Sequence, residues 1–135
     1  MNGQLAMGFE AEAPTGPPAL GAVRKVTYVH SRSVLTKPSG AAVAHDFTLN
    51  PYTGCGFACD YCYARFFRPE AYERDTWGEW VTVKRNAVAL VRRAVRAGQV
   101  MRGTTLFMSS VTDPYQPIES KLGLTRSVVE ALLPV

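Results

Sequence analysis

The sequence predicts an α/β fold with at least two parallel core strands and two helices. Asp46 to Asn50 has the alternating pattern of a strand, Asn86 to Gly98 has helical periodicity, and Thr104 to Ser109 is a nearly continuous apolar strand. A strand, a helix and a second strand in this order favour a parallel pair, because the crossover returns the chain to the same edge of the sheet. The length of 135 residues is enough for one ordinary domain.

The first third of the chain contains one short strand and several breaks. Residues 1–22 are rich in Gly, Ala and Pro without a regular period, and we expect them to form a flexible leader. Val23 to Val29 alternates apolar and polar residues, which predicts a short strand. A turn is expected at Pro38 to Gly40. Pro51 then ends the regular pairing of the strand Asp46 to Asn50, because proline lacks a backbone N–H.

The remaining elements follow the cysteine-rich stretch. Arg68 to Asp75 is short and charged and fits a small helix, and Trp77 to Lys84 ends in the pattern of a strand. The long helix is expected to have Asn86 as its N-cap and Gly98 as its stop. A second helix is predicted from Thr125 to Leu133, with the threonine as N-cap.

Composition and charge exclude some classes of protein and leave others open. The chain is 47% hydrophobic and 19% charged, which is typical of a soluble globular domain, and its formal charge of +4 permits an anionic partner such as nucleic acid without requiring one. Arg92, Arg93 and Arg96 lie in the last turns of the long helix, where the helix dipole favours a solvated basic face over a binding patch. The sequence lacks a signal peptide and an apolar run of about 18 residues, which favours a cytoplasmic protein.

All three cysteines lie within eight consecutive residues, at Cys55, Cys59 and Cys62. This spacing favours one inorganic centre: an iron–sulfur cluster, in which three thiolates leave one iron free to bind a further group, or a zinc site completed by His45 or His30. Three small buried hydrophobes without a metal are also compatible with it. A disulfide framework is disfavoured, because the number of cysteines is odd and they are close together.

A second polar loop, Ser110 to Glu119, follows the strand Thr104 to Ser109. Because parallel strands end at the same edge of a sheet, we expect this loop to meet the cysteine loop. Ser110, Thr112 and Asp113 offer hydroxyl and carboxylate groups that could hold an ammonium or a ribose. The alternative is a proline-rich turn in which Asp113 only caps backbone amides.

These motifs carry a family resemblance. The string C-x3-C-x-Y-C-Y from Cys55 to Tyr63 resembles the cluster motif of radical S-adenosylmethionine (SAM) enzymes. Its flanks LNPYTGC and YCYAR, with SSVTDPYQPIE and LTR further on, resemble the branch related to spore photoproduct lyase. Phe57 departs from the pattern, since many relatives have histidine at that position.

The resemblance implies a cofactor set and a role for each matching residue. Cys55, Cys59 and Cys62 would bind three irons of a [4Fe–4S] cluster, and the fourth iron would chelate the amino and carboxylate groups of SAM. Tyr61 would lie against the adenine, and the segment Ser110 to Asp113 would receive the amino group of SAM. Transfer of one electron, from a donor such as a flavodoxin or a ferredoxin, would release a 5′-deoxyadenosyl radical that abstracts hydrogen from a substrate.

The resemblance also implies a partial (β/α)6 barrel, for which 135 residues are too few. We therefore expect residues 23–135 to be the amino-terminal portion of a radical SAM core. The relation to spore photoproduct lyase makes a DNA lesion conceivable as substrate, but no catalytic residue can be assigned. Two alternatives remain open: a small zinc-binding structural module without catalysis, and a cluster-binding chain that is inactive because its barrel is incomplete.

Overall fold

The computed structural model describes residues 21–135, which form a mixed α/β structure. Residues 1–20 of the predicted leader lie outside the described residues. The strands are β1 (Lys25–Val29), β2 (Leu35–Thr36), β3 (Phe47–Leu49), β4 (Tyr52–Gly54), β5 (Trp80–Lys84) and β6 (Leu106–Met108). The α-helices are α1 (Ala71–Asp75), α2 (Ala87–Arg96), α3 (Glu119–Leu122) and α4 (Leu124–Leu132). Two 3₁₀ turns, Gly40–Ala42 and Tyr63–Phe67, complete the described elements.

The strands form two three-stranded sheets. In one sheet, with the order β1-β5-β4, β1 runs parallel to β5 and β4 runs antiparallel to it. In the other sheet, with the order β2-β3-β6, β2 is antiparallel to β3, and β3 is parallel to β6. The register of the last pair sets Phe47 opposite Leu106 and Leu49 opposite Met108. The predicted parallel pair is therefore confirmed, and its carboxyl ends share one edge.

The main hydrophobic core lies between this second sheet and two helices. Leu35 and Leu49 pack from the sheet against Ala87 and Val91 of α2 and Val128 of α4. Burial of this apolar surface is the main stabilising contribution to the arrangement. The apolar face predicted for the long helix is confirmed, and its three arginines are exposed, as expected.

The capping roles predicted for the side chains of Asn86 and Thr125 are wrong. Asn86 stands at the N-cap position of α2, but its side chain accepts a hydrogen bond from the Ser31 N–H (2.9 Å) and donates one to the Ser31 carbonyl (2.8 Å). Thr125 lies inside α4, which begins one residue earlier, and its hydroxyl donates to the Pro114 carbonyl (2.7 Å). Both polar side chains join separate segments instead of capping their own helices. Gly98 follows the end of α2, as predicted.

The sequence pattern does not predict three short elements: β2, β4 and α3. The strands have two and three residues and the helix has four, which is too short for a period to emerge. Pro51 ends β3 as expected, but pairing resumes one residue later in the other sheet. None of the helices among residues 21–135 is long and apolar enough to cross a membrane.

Candidate cofactor site

The cysteine loop begins where β4 ends, at the junction of the two sheets. β4 separates the loop from β3, the strand predicted over Asp46 to Asn50. Gly54 closes β4 with φ = +81°, and a Cβ there would lie 2.5 Å from the Trp80 carbonyl oxygen. Only glycine combines this backbone conformation with so close an approach. The turn into Cys55 therefore depends on Gly54.

The three cysteines differ in burial. Cys55 is buried, with 7% of its surface exposed, whereas Cys59 and Cys62 are half-buried. Burial raises the pKa of the Cys55 thiol, and hydrogen bonds with the backbone of Phe57 and Asp113 partly offset this rise. All three side chains are free thiols. Cys55 thus anchors the loop to the core, while the other two remain accessible to a ligand.

Two buried tryptophans, Trp77 and Trp80, pack against the cysteine loop. Trp77 and Trp80 pack edge to face, with ring centroids 5.8 Å apart, and form one buried cluster with Cys55 and Ala64. By contrast, Phe66 and Phe67 are 68% and 64% exposed. The loop therefore has a packed side and an open aromatic side.

Gly78 lets the segment that carries Trp77 and Trp80 lie close to the cysteine loop. Its φ is +101°, and a Cβ on it would lie 2.2 Å from the Ala58 Cβ, between the first two cysteines. Replacing Gly78 with alanine is expected to lower the free energy of unfolding by about 2–4 kcal/mol, because the substitution adds a steric clash to an unfavourable φ. Urea unfolding monitored by tryptophan fluorescence measures this loss.

Gly103→Ala is the matched control for Gly78→Ala. Gly103 also has a positive φ, of +91°, but no atom lies within 4 Å of the position where its Cβ would stand. It should therefore lose only the part that is due to φ, about 1 kcal/mol. Equal losses in the two variants would contradict the close approach of Gly78 to the loop.

The second polar loop meets the cysteine loop, as predicted. The Thr112 hydroxyl donates to the Gly54 carbonyl (2.5 Å). The Tyr63 hydroxyl donates to the Ser110 carbonyl. These contacts come from residues about 50 to 60 positions apart in the chain. Two distant segments thus form one local structure at the shared edge of β3 and β6.

Gln116, which the sequence pattern does not single out, makes the largest number of hydrogen bonds between the two loops. Its side chain is 1% exposed. The amide nitrogen donates to the Gly54 carbonyl (3.3 Å) and to the Thr112 hydroxyl (3.1 Å), and the amide oxygen accepts from the Gly56 N–H (3.1 Å). Gln116 lies in the motif SSVTDPYQPIE, but nothing in the spacing of that motif distinguishes a buried glutamine that joins two loops from one on the surface.

The predicted SAM-contacting residues lie around this junction with different partners. Ser110 lines a cavity beside the junction, and Thr112 uses its hydroxyl on Gly54. One carboxylate oxygen of Asp113 accepts from the Tyr115 N–H (2.8 Å), as in the alternative reading of a capped turn. Tyr61 is 90% exposed, and a hydrogen bond with Cys59 raises the pKa of its hydroxyl.

The donor set can be compared with the two kinds of metal centre. Among residues 21–135, no three side chains of His, Cys, Asp or Glu lie close enough together to hold a single metal ion. His45, a candidate zinc ligand, stacks on Phe107 with ring centroids 5.2 Å apart. A cubane cluster attaches each thiolate to a different iron, so it does not gather its ligands at one ion. Three free thiols on one loop fit the donor chemistry of a cluster, which stays a prediction.

Comparison with known proteins finds relatives whose function is not described. The chain is 40% identical over 84 residues to the uncharacterized protein MJ0683 of Methanocaldococcus jannaschii. The aligned region covers 62% of this chain and 30% of that protein. It is 36% identical over 108 residues to the uncharacterized protein Rv2578c of Mycobacterium tuberculosis, covering 75% of this chain and 30% of the relative. No family model and no solved structure matches the chain. The chain thus spans 30% of the length of these relatives.

Proposed function

We propose that this chain is the amino-terminal part of a radical SAM enzyme, with a [4Fe–4S] cluster on Cys55, Cys59 and Cys62. The observation that supports the proposal best is the union of the cysteine loop with the segment Ser110 to Glu119 through Gln116 and Thr112. A loop that held a metal only to fold itself would not need a second polar segment clamped to it. A site for a cluster and an attached small molecule does.

The fold supports the same proposal. The strands β3 and β6 are parallel and covered by α2 and α4 on one face, which is the arrangement of adjacent units in a β/α barrel. We propose that they are the first units of a partial (β/α)6 barrel. Further units would come from the part that the relatives have beyond the aligned region, since the chain covers 30% of them. β6 lies at the edge of its sheet, where a further strand can pair.

The residues of the site have distinct tasks in this proposal. Cys55, Cys59 and Cys62 would bind the cluster, and the packing of Cys55 against Trp77 and Trp80 would exclude water from one side. Asp113 has a second carboxylate oxygen to receive the SAM amino group, while its first holds the turn at Tyr115. Tyr61 is exposed and free to cover the adenine.

The cofactors supply the reactive chemistry when bound: one electron from the reduced cluster cleaves SAM to methionine and a 5′-deoxyadenosyl radical. The chain would orient SAM and exclude water from the site. A flavodoxin or ferredoxin as electron donor, and the reducing cytoplasm as location, belong to the same proposal. The formal charge of +4 alone does not favour DNA as the substrate.

Anaerobic reconstitution followed by analysis of iron, sulfide and zinc tests this proposal. We expect about four irons and four sulfides per chain, as in a cubane cluster. One tightly held zinc per chain, with no stable iron, would instead identify the zinc-binding structural module. A full cluster without formation of 5′-deoxyadenosine would identify a cluster-binding chain that lacks the rest of its barrel.

A further inference from the structure

A cavity of about 600 Å³ lies beside the cysteine loop, at the carboxyl ends of β3 and β6. Asn50, which follows β3, Ser110, which follows β6, and Tyr63, which follows Cys62, all line it. Its volume is within the range of small-molecule sites, about 300–1,000 Å³. The cavity therefore adjoins both the cysteine loop and the segment Ser110 to Glu119, the two parts of the proposed cofactor site.

The cavity uses the sheet face that the helices leave uncovered. Leu35 and Leu49 face the helical core, whereas Thr36 and Thr48, their neighbours along the strands, line the cavity. The two threonine hydroxyls are 2.6 Å apart and hydrogen-bonded. Phe107, the register partner of Thr48, lines the same cavity. This face of the sheet carries hydroxyl groups as well as an aromatic ring. It therefore suits a bound ligand better than packing against another apolar element.

The chemistry of the lining restricts the ligand. Lys37 is the one charged side chain among the lining residues that the structure describes, and Tyr63, Phe67 and Phe107 supply aromatic rings. Asn50 is 8% exposed, and its Oδ1 is buried without a hydrogen-bond partner. A buried acceptor without a partner is unfavourable, and a donor on a bound molecule would satisfy it.

We propose that this cavity binds a small molecule with a planar ring, one carboxylate and a hydrogen-bond donor. Lys37 pairs with the carboxylate, the exposed ring of Phe67 stacks on the planar part, and Asn50 accepts the donor. A carboxylate is favoured over a phosphate because one lysine, without an arginine, lines the cavity. The role of this molecule as the substrate rests on the proposed function, but its binding does not.

The iron-free full chain tests the binding with three probes in isothermal titration calorimetry. 4-Hydroxybenzoate carries the ring, the carboxylate and a donor, 4-hydroxybenzamide lacks the charge, and acetate lacks the ring. We expect 4-hydroxybenzoate to bind more tightly than either of the others. Lys37→Ala should weaken 4-hydroxybenzoate about threefold to fivefold, as for an exposed ion pair, and leave the amide unchanged. Lys121→Ala, on an exposed lysine of α3, is the matched control.

Two further variants separate the ring contact from the buried amide. Phe67→Ala should weaken both aromatic probes about fivefold, while Phe66→Ala, equally exposed but outside the cavity lining, should change neither. Asn50→Leu should weaken 4-hydroxybenzoate and at the same time raise the melting temperature, because it removes a buried polar atom without a partner. A residue with only a structural role would not combine lost binding with higher stability.

Several results would overturn the inference. These are no binding of 4-hydroxybenzoate at millimolar concentration by a chain that hydrogen exchange shows to be folded, equal affinity for the amide, or equal effects of Phe66→Ala and Phe67→Ala. Tighter binding of phenyl phosphate than of 4-hydroxybenzoate would overturn the choice of a carboxylate. Because no probe requires iron, failure of cluster assembly would sink the proposed function and leave this inference standing.

Discussion

Serine in place of Cys55, Cys59 or Cys62 is expected to lower the iron bound after anaerobic reconstitution from about four per chain to below about one. A serine hydroxyl is close in size to a thiol but stays protonated at neutral pH, so it does not supply the soft anionic ligand that iron–sulfur clusters need. Each of the three thiolates holds a separate iron in the proposal, so each single change should have this effect. Iron and acid-labile sulfide analysis measures it.

The control for these variants lies in the same loop. Asp60 is exposed and stands between Cys59 and Cys62, so Asp60→Asn changes a charge beside the site without removing a thiol. It should keep the full iron content. Retention of four irons by any serine variant would remove that cysteine from the ligand set. Circular dichroism on each variant confirms that a loss of iron does not come from unfolding, which matters most for the buried Cys55.

Replacing Gln116 with leucine is expected to weaken the connection between the cysteine loop and the segment Ser110 to Glu119. Leucine has a similar volume but leaves the buried Gly56 N–H without its acceptor, whereas the Gly54 carbonyl keeps its bond from Thr112. An unsatisfied buried donor, together with the lost bonds of the amide nitrogen, should lower the free energy of unfolding by about 2–4 kcal/mol. Urea unfolding measures this loss.

Hydrogen exchange adds a local test of the same variant. The Gly56 amide should exchange faster in Gln116→Leu, because the loop loses its link to the segment Ser110 to Glu119. Gln99→Leu is the matched control, since Gln99 is exposed and lies just beyond α2. A loss in Gln116→Leu no larger than in Gln99→Leu would show that Gln116 does not hold the two loops together.

The larger elements were predictable from the sequence because burial imposes a period on them. The helix α2 and the strands β3 and β6 each expose one face to the core, so their apolar residues recur at regular intervals. The meeting of the two polar loops was predictable from the parallel pair, although β4 lies between β3 and the cysteine loop. By contrast β2, β4 and α3 depend on partners distant in sequence, and they are too short to carry a period of their own.

Individual polar side chains were harder to predict, because their partners are set by the fold. Asn86 and Thr125 have the composition of helix caps, yet each bonds a backbone group of another segment. Gln116 is buried by the same long-range packing. The thiols Cys55, Cys59 and Cys62 could be singled out without the structure, since the chemistry of three closely spaced cysteines does not depend on the rest of the fold.

Electron paramagnetic resonance of the reconstituted, reduced chain, recorded before and after addition of SAM, tests the central claim most directly. Binding of the amino and carboxylate groups to the free iron changes the ligand field of the cluster, so we expect the spectrum of the reduced cluster to shift on addition of SAM. Methionine alone and S-adenosylhomocysteine serve as ligand controls. A spectrum that stays unchanged at saturating SAM, in a chain with a full cluster, would contradict the proposed SAM site.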